Sequence, residues 1–185
     1  MQNTSHFIHK AGGYGLQEFL EIVSELSQES VKKGQLSRLQ KELITLGLAL
    51  YKNCHRCIEI HHQEAVKLGA SESEFSLIKK TILFMNAAPH GDSETWGDWV
   101  ESWTDFSFSR KRARQQLREL TALAIAIVKQ HERQIQMHMC AALETDCSIE
   151  QVFEVVPIVL LMDGAPTLSQ IPRLFECVEK YENQD

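Results

Sequence analysis

An all-α fold is what this sequence predicts, and three observations predict it. Apolar residues recur every three or four positions, the period of a helix face, rather than at every second position as in a strand. Only 9 Gly and 4 Pro occur in 185 residues, too few for the tight turns of a β fold. The chain also repeats itself. Shifted by 77 positions, residues 41–89 fall on 118–166 without a gap, with 14 identities in 49 positions.

The elements follow in order. Phe19, Ile22, Val23 and Leu26 form the apolar stripe of a first helix. Leu43, Leu46 and Leu50 mark a second helix, and Ile58, Ala65 and Leu68 a third. Phe75, Ile78, Ile82 and Met85 mark a fourth, ended by Pro89 and Gly91. Ser37 and Ser71 stand at the breaks as capping residues. KELITLGLALYKN at 41–53 lies on RELTALAIAIVKQ at 118–130, and Trp96, Trp99, Val100 and Trp103 lie on the first stripe. The unit is therefore four helices used twice. A last amphipathic helix spans 168–181, with Ile171, Leu174, Phe175 and Val178 facing inward. The predicted architecture is two tandem four-helix repeats plus a C-terminal helix, about nine helices in one compact fold, divided at 1–92 and 93–185.

Composition narrows the function. A net charge of −6 argues against a nucleic-acid-binding surface, and the basic run Arg110-Lys111-Arg112-Ala113-Arg114 reads as the solvated start of a helix between the repeats. The longest uncharged apolar runs, 120–128 and 155–162, are far shorter than the ~20 residues that cross a bilayer. MQNTSHFIHKAGGYG has no apolar core of signal-peptide length, so the expected location is the cytoplasm. The 5 Cys are odd in number, which disfavours a fully paired secreted framework.

The difference between the repeats is more informative than their likeness. Glu42 and His61 recur as Glu119 and His138, whereas Cys54 becomes His131 and Cys57 becomes Gln134. Only the first repeat holds Glu, Cys, Cys and His together. With 54–69 on one helix, Cys54, Cys57 and His61 share a face. Asn53 is the expected N-cap, which sets Cys54 at a helix start that favours a thiolate, as does a neighbouring imidazole. Peroxide attack on such a sulfur gives a sulfenic acid, and condensation with the second thiol gives a disulfide. An external dithiol must then reset the pair. An inward-facing Glu42 among Leu43 and Ile44 would suit proton transfer near neutral pH.

Glu42-x11-Cys54-x2-Cys57-x3-His61, within KELITLGLALYKNCHRCIEIHHQEAVKLGAS, resembles the active-site signature of the carboxymuconolactone decarboxylase superfamily, in its alkyl hydroperoxidase D-like branch. The resemblance covers 35–89 well and the second repeat more loosely. It implies an all-helical fold, a trimer or hexamer, and a thiol-dependent peroxidase with no bound cofactor. It also implies a dithiol electron donor such as a lipoyl-bearing protein. By the same resemblance Cys57 attacks peroxide, Cys54 resolves, His61 is the base and Glu42 belongs to the relay. One position departs. Where the family often has a His directly before the second Cys, this chain has Arg56, with His55 one place earlier. Arg cannot relay a proton at neutral pH, so Arg56 either stabilises a thiolate or faces solvent.

Two other readings stay open at this level. A decarboxylase-type lyase would need Glu42 and His61 but not the thiols. A zinc-bearing or redox-sensing module would use Cys54, Cys57, His61 and His62, although one helix supplies no clear fourth ligand. Cys140, Cys147 and Cys177 read as ordinary buried or half-buried residues, and the three Trp as core or subunit interface.

Overall fold

The computed structural model describes residues 10–89, 93–106 and 111–183. Gly91 and Arg110 lie outside them. Ten α-helices occur among the described residues: α1 Gln17–Val31, α2 Arg38–Tyr51, α3 His55–Lys67, α4 Glu72–Ala87, α5 Trp96–Asp105, α6 Arg112–Val128, α7 Glu132–Glu144, α8 Ile149–Phe153, α9 Val155–Asp163 and α10 Ile171–Glu182. There is no strand among the described residues.

The count differs from nine because the last helix of the second repeat is split. Pro157 has no N–H to give the carbonyl of Phe153, and its ring crowds that carbonyl, so the helix breaks at Glu154. The equivalent position in α4 is Lys80, and α4 runs unbroken. Ser37, Ser71 and Ser148 each open a helix with a reciprocal capping box, to Gln40, Glu74 and Gln151.

The repeat extends to backbone turns. Asn53 and Gln130, 77 apart, both adopt positive φ, and so do Gly69 and Asp146. Cys54 N–H bonds Ala49 carbonyl as His131 N–H bonds Ala126. Ala70 to Ala65 and Cys147 to Ala142 form the second such pair. These are six-to-one bonds that close a helix over a left-handed residue.

Helices α2 and α6 lie at the centre. Lys41 through Ala49 and Glu119 through Ile127 are each buried without interruption, as expected of a helix enclosed on all sides. The two pack on each other, and α4 and α9 each pack on both, so one apolar cluster runs through both repeats. At the crossing, a Cβ on Gly47 would lie 2.7 Å from the Thr121 methyl, so only glycine permits this approach. Glu154, at the break before α9, accepts from the N–H groups of Gln35 (2.7 Å) and Leu36 (2.9 Å) and pairs with Lys41 (3.0 Å). This carboxylate ties the second repeat to the entry of α2.

One expected apolar face points elsewhere, and a second departs at a single residue. Helix α1 turns Val23, Ser27 and Ser30 inward against α9, and leaves Phe19, Ile22 and Leu26 exposed. Its small serines permit close approach, so the bulky stripe is rotated out. In α10, Leu174, Cys177 and Val178 are buried, while Phe175 is exposed and packs its ring on Phe153. That helix begins at Ile171, after a 3-10 turn at Ala165–Gln170.

Candidate functional site

The first repeat assembles its site at the corner between α2 and α3. Lys52 caps the end of α2, Asn53 takes the left-handed conformation, and Cys54 is the N-cap of α3. Asn53 is thus not the cap expected from the sequence. It makes the turn, and asparagine tolerates positive φ. Cys54 is anchored from both sides: its N–H bonds Ala49 carbonyl (2.9 Å) and its carbonyl accepts from Ile58 N–H (2.9 Å). Cys57, one turn on, is joined to Cys54 by a disulfide, with Cα atoms 5.3 Å apart. Both are half-buried.

The corresponding corner of the second repeat shows what Cys54 displaces. There His131 is the N-cap, and its Nδ1 accepts from Gln134 N–H at 3.4 Å. Cys54 holds the same N-cap position, but its side chain is tied into the disulfide and accepts no capping bond.

Glu42 and His61 meet from different helices. Glu42, in the buried stretch of α2, accepts a hydrogen bond at Oε2 from His61 Nδ1 at 2.7 Å. A carboxylate only accepts, so the proton resides on Nδ1 and Nε2 is the nitrogen left for chemistry. A buried carboxylate needs such a partner. A second one arrives at Oε1: Arg38 Nε lies 3.7 Å away, and Arg38 Nη2 is 3.5 Å from Glu64 on α3. Glu64 also takes a 2.6 Å bond from Lys67, which, with the charges of Lys67 and Arg38, holds its carboxyl below the usual range. Arg38 and Glu64 were not singled out from the sequence. The i, i+4 spacing of Arg38 and Glu42 on one helix is the signal that could have found the first.

The remaining candidates lie at the edge. His55 is exposed at the first helical position. Arg56 pairs with Glu59 at 2.9 Å on the solvent side of α3. His62, considered as a metal ligand, stacks on Phe75 with ring centres 4.6 Å apart. Among the described residues, no group of three or more His, Cys, Asp or Glu is placed to hold a metal ion. Cys140, Cys147 and Cys177 are free thiols. Burial raises all three above the ordinary thiol value, Cys147 to about 11, which keeps them protonated and unreactive.

The second repeat keeps the carboxylate–imidazole pair, with His138 Nδ1 2.8 Å from Glu119 Oε2. Trp103 and Trp99 meet His138 edge-on, with ring centres 4.8 and 6.2 Å from the imidazole. Trp96 stacks on His131 at 5.5 Å. Arg118 meets the other Glu119 oxygen at 2.6 Å, under the Trp103 ring. Trp99 and Trp103 are therefore core and seal this pair, while Trp96 is half-buried at the edge of the cluster. No helix of the described residues is long and apolar enough to cross a membrane.

A family model described as the carboxymuconolactone decarboxylase family matches residues 17–91 and again residues 97–176. The comparisons with curated proteins and with solved structures each return no match.

Proposed function

The chain belongs to the carboxymuconolactone decarboxylase family, and on that premise we propose that it is a thiol-dependent peroxidase acting through Cys57 and Cys54. The observation that carries the reading is the Cys54–Cys57 pair, one turn from an imidazole held by a buried carboxylate. His61 takes the proton of the Cys57 thiol, and the thiolate attacks one oxygen of hydrogen peroxide or an organic hydroperoxide. The O–O bond breaks. The leaving oxygen takes up a proton and departs as water or alcohol, and Cys57 becomes a sulfenic acid. The Cys54 sulfur displaces that hydroxyl as water and forms the disulfide. An external dithiol, such as a lipoyl group on a carrier protein, then gives two electrons by exchange and is itself oxidised. The cycle needs no bound cofactor, and its setting is antioxidant defence in the cytoplasm, where dithiols are kept reduced.

Self-association belongs to the same proposal. Phe19, Ile22 and Leu26 make an exposed stripe that suits contact between subunits of a homo-oligomer, and Ile22→Glu should lower the mass measured by sedimentation.

The test is direct. Purified protein with dihydrolipoamide should consume peroxide, and Cys57→Ser should abolish the consumption. A variant as fast as the wild type overturns the reading. A lyase that uses only Glu42 and His61 draws some support from the recurrence of that pair without thiols. It requires a Cys54→Ser/Cys57→Ser protein to keep full activity.

A further inference from the structure

Both buried carboxylates have a basic partner at each oxygen, yet the second partner comes from different places. In the second repeat the guanidinium on Glu119 Oε1 is that of Arg118, the preceding residue. The equivalent of Arg118 in the first repeat is Lys41, and Lys41 is turned away, to Glu154 and to the carbonyl of Lys32 (2.7 Å). The same oxygen of Glu42 instead faces Arg38, one turn earlier, where the second repeat has Gln115. The oxygen has kept a guanidinium while the residue that supplies it has changed. The surroundings differ as well. Arg118 is enclosed between Trp103 and Phe106, whereas the Arg38 side chain is 51% exposed and divided between Glu42 and Glu64.

We propose that Arg38 is a positioning residue for the dithiol: it fixes Glu42 so that His61 keeps its proton on Nδ1 and offers Nε2 to Cys57. This rests on the reading of Cys57 as the nucleophile. Arg38 does not touch the sulfurs and acts through two carboxylates. Glu64, bonded to Lys67, holds the far side of the guanidinium, so the planar fork is oriented at both ends. Glu42 is a one-turn neighbour of Arg38 on α2, and Glu64 lies on α3, so the guanidinium also sets how α3 carries His61 against α2.

The test uses the full chain, reduced, with iodoacetamide as the probe and the Cys57 peptide read by mass spectrometry between pH 5 and 9. Arg38→Gln should slow Cys57 alkylation at pH 7 by about tenfold and displace its pH profile, with little change in melting temperature. Arg38→Lys, which keeps the charge without the fork, should recover part of the rate. Nitrogen NMR of His61 should show a single Nδ1–H tautomer in the wild type and mixed tautomers in Arg38→Gln. A wild-type pH profile and an unmixed tautomer overturn the proposal, and so does a rate loss that only follows loss of stability. Should Arg38→Gln fail to fold, Arg38→Met carries the same readouts. Alkylation needs neither peroxide nor donor, so a chain without peroxidase activity would defeat the proposed function while this role of Arg38 is still measured.

Discussion

Glu42–His61 and Glu119–His138 occupy equivalent positions and have nearly the same bond, 2.7 and 2.8 Å. Their surroundings are opposite. The His61 side chain is 15% exposed beside a disulfide, while His138 is fully enclosed, with two indoles meeting it edge-on. Because the pair survives where no thiol exists, its first service is to the fold: it joins the second and third helices of each unit. The chemistry proposed for the first repeat needs two additions, a sulfur pair at the helix start and access. The second repeat lacks the first and has closed the second with Trp99 and Trp103.

The sharpest way to break that comparison is to remove each imidazole. His61→Ala should cut peroxide turnover by about 100-fold or more, with a loss of stability near 1 kcal/mol. His138→Ala should leave the chemistry of the first repeat alone and cost about 3 kcal/mol, because its enclosed site leaves a dry cavity beside Glu119, whereas water reaches Glu42 where the partly exposed His61 ring was. Denaturant midpoints and initial rates on both variants separate the two effects. Equal stability losses would mean that the exposure difference has no energetic meaning.

Trp103→Ala asks how much the seal itself contributes. The indole fills space against His138, Phe106 and Arg118, so its removal should destabilise by about 3 kcal/mol, read from urea unfolding. No residue of α1 offers a matching loss. Phe19→Ala, at the position equivalent to Trp96, should change monomer stability by less than about 0.5 kcal/mol, since its side chain is exposed.

The smallest effect concerns the joint between the repeats. Burial alone would raise the Glu154 carboxyl, but the N–H groups of Leu36 and Gln35 and the Lys41 ammonium outweigh it, and the net shift is below the ordinary 4.5. A depressed carboxyl stabilises the fold fully above its unfolded value and loses that contribution as pH falls through the folded value. The wild type should therefore lose more stability than Glu154→Gln when pH drops below about 4.5. Parallel melting curves down to pH 3 would show that Glu154 does not join the repeats electrostatically.

Much of this was legible in the chain. The helical period and the serine caps at 37 and 71 are local patterns, the 77-residue shift is read by direct comparison of the chain with itself, and each appears in the structure near its expected place. The common face of Cys54, Cys57 and His61 follows from spacing on one helix. The orientation of α1 was not legible, because its stripe of Phe19, Ile22 and Leu26 is amphipathic in its own right and nothing local says which neighbour it meets. Pro157 was visible, but the split it causes depends on a helix equivalent to α4 being otherwise continuous.

The sequence by itself determined the class of fold, the duplication and the one repeat that carries sulfur, because periodicity and capping are properties of residues a few positions apart and the repeat is read by laying the chain on itself. Only the tertiary structure decided that Arg38 also reaches Glu64 on the next helix, that Glu154 spans from the second repeat to Gln35 and Leu36, and that tryptophans close one carboxylate–imidazole pair and not the other. Those contacts depend on how helices distant in sequence pack, and packing selects among faces that the local pattern leaves equally apolar or equally charged.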